Sequence, residues 1–262
     1  MDSSKFNIFE AVKNAYLFVG REWVYLLKAG ALPVVMQICT SLFVQLVRED
    51  SSILEGYLWG LPATALFSWF VFLEMRLLLL KEKIDELPHD VGYLIDRQNA
   101  MRIAVLTSLL FNMGISFAMT ILLGIVESGK WGISTPLTLA GSLLAGVAFW
   151  SIRFGILPIL AAVHYPFRPV LLQTRGAMFS LRLAGMALVC MFPVALVFQI
   201  ALSFFVDKTA DIATAPKLTM MEQVGIIVVS APVSLLVAAL LNASAAYALK
   251  QIIGSRQNGA LA

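Results

Sequence analysis

Six long apolar stretches dominate this sequence and leave few ways in which the chain can fold. An α-helix needs about 20 mostly apolar residues to cross the hydrocarbon core of a bilayer. Only 13% of the residues are charged, about half the share that a soluble surface carries. The sequence therefore predicts an all-α polytopic bundle of about six spans in one integral membrane domain, residues 1–262. The predicted spans are residues 23–47, 57–80, 103–126, 136–163, 183–206 and 224–249.

The distribution of Lys and Arg predicts the orientation of these spans. Outside the spans, the N-terminus, the second and fourth connections and the tail hold twelve Lys and Arg, whereas the alternate connections hold four. Connections rich in Lys and Arg stay in the cytoplasm, so both termini are expected there. Residues 1–22 are predicted to form a cytoplasmic amphipathic helix, and residues 250–262 a cytoplasmic tail.

A period of about 80 residues indicates an internal repeat. Arg21, Arg102 and Arg182 directly precede three of the spans, separated by 81 and then 80 residues. A helix-weakening residue follows each arginine after a similar interval: Pro33, Gly114 and Pro193. The pattern predicts three parallel units, each an interfacial helix followed by a transmembrane hairpin, with the three arginines at the interface. The amphipathic pieces have two interpretations, a helix lying at the lipid headgroups or a docking surface for a membrane-protein partner.

Ionisable side chains at membrane depth are costly and often functional. Lys28 and Arg76 lie near span ends and can extend to the interface, which favours a structural role. Glu74 and Arg153 lie deeper, and their depths differ by about one helical turn, roughly 5 Å. We hypothesise that these two residues form a charged pair across the bundle. The pair is either a structural clamp between helices or the charged lining of a polar cavity or lipid-headgroup site.

Smaller and uncharged side chains give weaker signals. Polar residues are scattered over four spans without an evident pathway: Gln37, Thr40, Asn112, Thr120, Gln199 and Asn242. Small residues on the fourth span predict close helix packing: Gly141, Ser142, Ala145 and Gly146. Cys39 and Cys190 are predicted to be free thiols, because the repeat alignment separates their depths by roughly 15 Å.

No pattern in the sequence points to catalysis, a metal or a cofactor. No Asp lies inside a predicted span, and His89 and His164 stand in separate segments without a second metal ligand at helical spacing. Phosphate-binding loops, dinucleotide fingerprints and nucleophile elbows are absent. The net charge of +3 forms no basic stripe, which argues against nucleic acid as a partner. The expectation is a protein that is not an enzyme and whose partners are the lipid bilayer and other membrane proteins.

The overall pattern resembles a known group of proteins. An N-terminal amphipathic helix containing Phe9, Tyr16 and Phe18 leads through Trp23 into the first span, and a helix from 175 to 182 leads into the fifth. This resembles uncharacterised bacterial six-span proteins of the YciC type and is similar to the membrane domain of some glycerophosphodiester phosphodiesterases. The resemblance implies a location in the bacterial inner membrane, without the phosphodiesterase catalytic domain.

Two functions are compatible with these features. The first is a non-catalytic inner-membrane module or accessory subunit in envelope or lipid physiology. The alternative is a transporter of a small or lipid-like solute, with a polar site near Arg153 and Glu74.

Overall fold

The computed structural model describes residues 6–47, 53–127, 151–202 and 220–259, together with residues 142, 145, 146 and 149. The described chain is helical and contains no strand. Short 3-10 helices cover Ile84–Glu86 and Ile152–Ile156. The α-helices, numbered here in chain order, are α1 (Ile8–Val47), α2 (Ile53–Leu80), α3 (Val91–Glu127), α4 (Leu157–Ala162), α5 (Phe167–Gln173), α6 (Ala177–Leu202) and α7 (Met220–Gly259).

Within the described residues, four helices are long and apolar enough to cross a membrane. They are Ile8–Val44, Trp59–Leu80, Ala177–Ile200 and Met220–Gly254. The prediction of an all-α helical membrane protein is therefore confirmed. The predicted span 103–126 lies within α3, and most of the first half of the predicted span 136–163 lies outside the described residues.

The helices pack so that α2 lies at the centre. It contacts α1, α3, α4 and α7. In the apolar stretch of α2 that is long enough to span a membrane, 56% of the residues are buried, against 22% in the corresponding stretches of α6 and α7. α1 also packs along α7, α3 packs on α4, and α6 packs on α7 and on the 3-10 helix Ile152–Ile156. The core is centred on side chains of α2, α4 and α7, such as Phe70, Phe72, Leu160 and Leu240.

The outer faces of α3 and α6 are apolar and exposed. Leu110, Leu188 and Phe192 have 61%, 73% and 69% of their surface uncovered. Exposure of large apolar side chains along a helix face is unfavourable in water but favourable in contact with lipid.

Regular α-helix is interrupted near residue 155 of the predicted span 136–163. The chain forms a 3-10 helix over Ile152–Ile156 and resumes as α4, with Pro158 in its first turn. Proline has no N–H to donate, and its ring clashes with the carbonyl four residues earlier, here that of Phe154. The tighter 3-10 turn avoids that clash. Pro33, Pro62, Pro193 and Pro232 remain inside continuous α-helices.

The N-terminal amphipathic segment is joined to the first span more closely than the sequence predicted. α1 runs from Ile8 through both, interrupted only by non-helical backbone angles at Glu22. Val12 and Phe18 are buried within the protein, while Phe9 is 74% exposed. The Tyr16 hydroxyl donates a hydrogen bond to the carbonyl of Cys190, at 2.8 Å. Part of the apolar face of this segment therefore packs on the protein itself, while Phe9 remains exposed.

Close packing at glycine is seen at Gly30 and Gly155, outside the small-residue pattern predicted on the fourth span. A Cβ at Gly146 would meet no heavy atom of the described residues within 4 Å, and Ser142 and Ala145 are exposed, while Gly141 lies outside the described residues. By contrast, a Cβ at Gly30 would lie 2.2 Å from Leu235 Cδ2, and one at Gly155 would lie 3.1 Å from Phe111 Cζ. Glycine thus allows the close approach of α1 to α7 and of the 3-10 helix to α3.

Candidate functional site

Two helix ends with left-handed backbone lie near one another at one end of the bundle. Lys81, directly after α2, has φ 57°, and His164, two residues after α4, has φ 55°. The His164 N–H donates to the carbonyl of Ala161 and the Tyr165 N–H to that of Leu160, the pattern of a Schellman cap. Each turn changes the direction of the chain at the end of its helix. The segment after α2 then runs back and places Glu82 beside α2 and α3.

Glu82 is the centre of a buried polar cluster formed by Arg76, Glu82, Tyr93 and Arg97, named here the Glu82 cluster. Arg76 Nε lies 2.6 Å from Glu82 Oε2, and Arg97 Nε lies 2.6 Å from Glu82 Oε1. The Tyr93 hydroxyl donates to Glu82 Oε2 and accepts a hydrogen bond from Arg76 Nη2 at 3.0 Å. The side chains of Arg76 and Glu82 are 5% and 8% exposed. Both oxygens of one carboxylate are therefore satisfied by two guanidinium groups and a phenol.

Local helix geometry explains why these residues meet. Tyr93 and Arg97 are four residues apart in the first turns of α3, and so project from the same helix face. Both guanidinium groups lie over the ring of Phe72, with centroid distances of 5.6 Å for Arg76 and 5.4 Å for Arg97, within the range of cation–π attraction. Phe72 is 1% exposed and supports the cluster from the core side.

The cluster also joins the ends of separate helices. Arg76 Nη1 donates to the carbonyl of Ala162, the last residue of α4, at 2.9 Å. The Lys250 ammonium of α7 donates to the carbonyl of Leu78 in the last turn of α2, at 3.4 Å. Carbonyls in the last turn of a helix lack partners within that helix, and cations are favourable there. α2, α3, α4 and α7 are thus held together at this end by charge-assisted hydrogen bonds.

The surroundings of Glu82 change its protonation equilibrium. Burial raises the pKa of its carboxyl group, but the hydrogen bonds from Arg76, Tyr93 and Arg97 lower it more, so the pKa lies below the ordinary value of 4.5. The carboxylate is consequently ionised at neutral pH and makes full use of its partners.

This lowered pKa predicts a dependence of stability on pH. A carboxyl group with a lower pKa in the folded state contributes stability that is present above its unfolded pKa of about 4.3. That contribution is lost as the pH falls through the folded-state pKa. We expect the difference in melting temperature between the wild type and Glu82→Gln to be constant near neutral pH and to shrink below about pH 4.3. Thermal unfolding in detergent from neutral to acidic pH measures it, and a constant difference throughout would contradict the assignment.

Two of the cavities between the described helices adjoin one another. The first, of about 400 Å³, is bounded by α1, α2, α3 and α7 and is lined by Gln37, Thr40, Ser41, Gly60, Leu61, Ala63, Thr64, Phe67, Asn112, Met113 and Ser234. The second, of about 310 Å³, is bounded by α2, α3, the 3-10 helix Ile152–Ile156, α4, α6 and α7. Phe67 and Asn112 line both cavities, and Ser108 and Asn242 line the second. Four polar residues that seemed unrelated in the sequence (Gln37, Thr40, Asn112 and Asn242) therefore line two adjoining cavities.

The structure places Glu74 and Arg153 in the interior but shows no hydrogen bond between them. Glu74 is 0% exposed, and neither of its carboxylate oxygens has a hydrogen-bond partner in the described part of the chain. Arg153 is 7% exposed, and its guanidinium lies 4.8 Å from the ring centroid of Phe154. Arg153 stands on the 3-10 helix rather than on a regular α-helix, so its direction could not be inferred from a helical repeat.

The three arginines predicted at the interface do not form one site. The side chain of Arg21 is 73% exposed, with Nε 3.0 Å from Glu22 Oε1. Arg102 is exposed beside an apolar groove between α1, α2 and α3, and Arg182 is half-buried on α6. Cys39 and Cys190 are free thiols, as predicted. In the described ranges, no group of three or more His, Cys, Asp or Glu comes close enough together to hold a metal ion.

The Glu82 cluster was not among the sites predicted from the sequence. Arg76 was expected at the membrane interface, and Arg97 was one of the Lys and Arg residues counted in the second connection. A detectable signal was present: Arg76 and Glu82 flank the end of a span, and Tyr93 and Arg97 follow at helical spacing.

The apolar helices and the polar cluster at their ends define a polytopic helical membrane protein. No protein-family model matches the chain, and neither a curated protein nor a solved structure matches it.

Proposed function

We propose that this chain is a six-span module of the bacterial inner membrane that acts as a non-catalytic accessory subunit in envelope or lipid physiology. The observation that carries the proposal is the Glu82 cluster. Its charges are used to join α2, α3 and α4, and both oxygens of Glu82 are already occupied by protein donors. Such an arrangement stabilises a fixed assembly of helices, with both carboxylate oxygens engaged by protein donors.

The proposed architecture is three parallel hairpins with both termini in the cytoplasm. Its support is the order of helix neighbours. The proposed hairpins pair α1 with α2, α3 with α4, and α6 with α7, and in each pair the first helix packs on the second. The first helix of each hairpin also packs on the second half of another hairpin: α1 on α7, α3 on α2, and α6 on the 3-10 helix before α4. This arrangement closes into a ring, which three equivalent hairpins would produce. A topology reporter fused after residue 262 is expected to report the cytoplasm, and a periplasmic signal would refute this orientation.

The accessory role is tested with the whole chain. Affinity purification from native membranes in a mild detergent is expected to recover a stable membrane-protein partner in stoichiometric amount. The chain alone, reconstituted in lipid vesicles, is expected to show no solute flux. Flux by the isolated chain would contradict the accessory role and favour transport.

Transport of a small or lipid-like solute is the second candidate, and Glu74 favours it. Phe67 and Val71 line the second cavity, and Glu74 follows Val71 by three residues on α2, within the same sector of the helix. A fully buried carboxyl group without a hydrogen bond is costly to keep, and such cost is common where function requires the group.

Replacing Glu74 by methionine tests this cost directly. A buried polar group without a partner costs about 1–3 kcal/mol, and methionine fills a similar volume without a polar atom. We expect Glu74→Met to raise the free energy of unfolding by about 1–3 kcal/mol, measured by equilibrium unfolding in detergent. Glu86→Met, at an exposed residue of the 3-10 helix Ile84–Glu86, is the control and should change stability by less than about 0.5 kcal/mol.

The same variant separates the two candidate functions. If the chain transports a solute through this region, Glu74→Met should be more stable and yet inactive in flux assays. A destabilised Glu74→Met would show that Glu74 makes a stabilising interaction in the membrane, and would remove the argument for transport.

A further inference from the structure

We propose that the first cavity is a binding site for a small uncharged solute rich in hydrogen-bond donors, of the polyol class. This inference goes beyond the accessory role, because it concerns binding and holds whether or not the chain moves a solute. A volume of about 400 Å³ falls within the range of small-molecule sites.

The charge of the lining selects for an uncharged solute. The described side chains around the cavity include six polar residues and no Asp, Glu, Lys or Arg. A charged molecule would lose its hydration without gaining a countercharge, at a large cost inside a membrane. An uncharged molecule avoids that cost, provided that its own polar groups find partners.

The hydrogen bonds already made by the lining favour a donor-rich solute. The Thr64 hydroxyl donates to the carbonyl of Gly60 at 3.0 Å, and the Ser234 hydroxyl donates to that of Ser230 at 2.8 Å. These hydroxyl groups have used their only proton within their own helices and retain lone pairs as acceptors. One N–H of the Asn112 amide is likewise occupied, by the Ser108 hydroxyl at 3.3 Å.

Gln37 supplies an independent indication of a ligand. Its Oε1 atom is buried and has no hydrogen-bond partner in the described residues, although the residue lines the cavity. A buried acceptor without a partner destabilises the protein, and an O–H donor from a bound solute would remove that cost. Acceptors from α1, α2 and α7 thus border one cavity, an arrangement suited to a molecule with several hydroxyl groups.

Phe67 sets the inner limit of the site. Its ring and Asn112 line both cavities, so the aromatic side chain divides two spaces that are otherwise adjacent. A polyol bound in the first cavity would contact Phe67 on its inner side and would reach the second cavity only past this ring.

The experiment measures protection of a cysteine placed in the cavity. Thr64→Cys is made in a Cys39→Ala background, and its modification by the water-soluble reagent methyl methanethiosulfonate is followed by mass spectrometry, with and without erythritol. We expect modification to be about tenfold slower when erythritol is present at about ten times its Kd. Thr107→Cys is the matched control, since the Thr107 hydroxyl also bonds the carbonyl four residues earlier, at 2.8 Å, outside the cavity. Its modification rate should not respond to erythritol.

Three results would overturn the proposal. They are no modification of Thr64→Cys, equal protection by methylammonium, and equal protection of Thr107→Cys. The first would mean that water does not enter the cavity, the second that the site binds cations, and the third that the polyol acts nonspecifically.

If Thr64→Cys does not fold, Ser41→Cys on α1 serves in its place. Adding Gln37→Leu should abolish protection of Thr64→Cys, and persistence of protection would remove Gln37 from the site. None of these results bears on the accessory role, which is tested by partner recovery.

Discussion

Replacing Glu82 by alanine is expected to lower the free energy of unfolding by about 3–5 kcal/mol. The substitution leaves Arg76 and Arg97 side by side without their shared carboxylate, and the Arg76 side chain is only 5% exposed. Breaking a buried pair by removing one partner is much more costly than the pair itself is stabilising, because the remaining charge stays desolvated. Equilibrium unfolding of the purified protein in detergent measures this change in the free energy of unfolding. A lower melting temperature than that of the wild type confirms its direction.

Glu22→Ala provides the matched control. Glu22 also pairs with an arginine, but the Arg21 side chain is 73% exposed, and exposed pairs contribute at most about 1 kcal/mol. Similar decreases in the free energy of unfolding for Glu82→Ala and Glu22→Ala would show that Glu82 is as well solvated as Glu22. Replacing Arg76 by methionine together with Glu82→Leu is expected to recover part of the loss, because it removes the buried Arg76 charge that Glu82→Ala leaves unpaired. The recovery is only partial, because Arg97 still lacks its carboxylate partner.

Helix type and helix ends could be predicted where one strong physical requirement decides them. In lipid, backbone groups must be satisfied within each helix, so long apolar windows predict helices, and the window ending at residue 80 ends where α2 ends. The continuation of α7 to Gly259, past the predicted end at 249, was not predictable in this way. Beyond the hydrocarbon core, helix length depends on tertiary contacts such as that of the Asn7 N–H with Gln251 Oε1, at 2.7 Å.

The polar sites were harder to predict, because they depend on which helices are neighbours. Hydropathy measures the cost of burying Glu82 or Arg76 separately, and says nothing of a partner that the Lys81 turn brings within 2.6 Å. Gln37 and Asn112 lie on different helices, so no periodicity relates them, and only the packing of α1 and α3 on α2 places them around one cavity. Conversely, depth alone suggested a pair for Glu74 and Arg153, but a hydrogen bond also requires matching helix rotation, and none joins them in the described structure.

Phe72→Ala should cause the largest loss of stability among substitutions in the core beneath the Glu82 cluster. Removal of a fully buried phenylalanine costs about 3–5 kcal/mol through lost packing and the cavity left behind. Phe72 is 1% exposed and lies beneath both Arg76 and Arg97, and each cation–π contact adds about 0.5–2 kcal/mol. We therefore expect a loss of at least about 4 kcal/mol in equilibrium unfolding, accompanied by weaker coupling between Arg97 and Glu82 in a double-mutant cycle.

Leucine substitutions separate packing from the attraction between ring and cation. Phe72→Leu and Phe70→Leu remove similar volume from two phenylalanines that are 1% and 0% exposed on the same helix. Among the described residues, cation–π contacts are found for the ring of Phe72 and not for that of Phe70. Phe72→Leu should consequently cost about 1–2 kcal/mol more than Phe70→Leu. Equal costs would mean that the guanidinium groups gain nothing from the ring beneath them, and that Arg76 and Arg97 stabilise this end of the bundle through their hydrogen bonds alone.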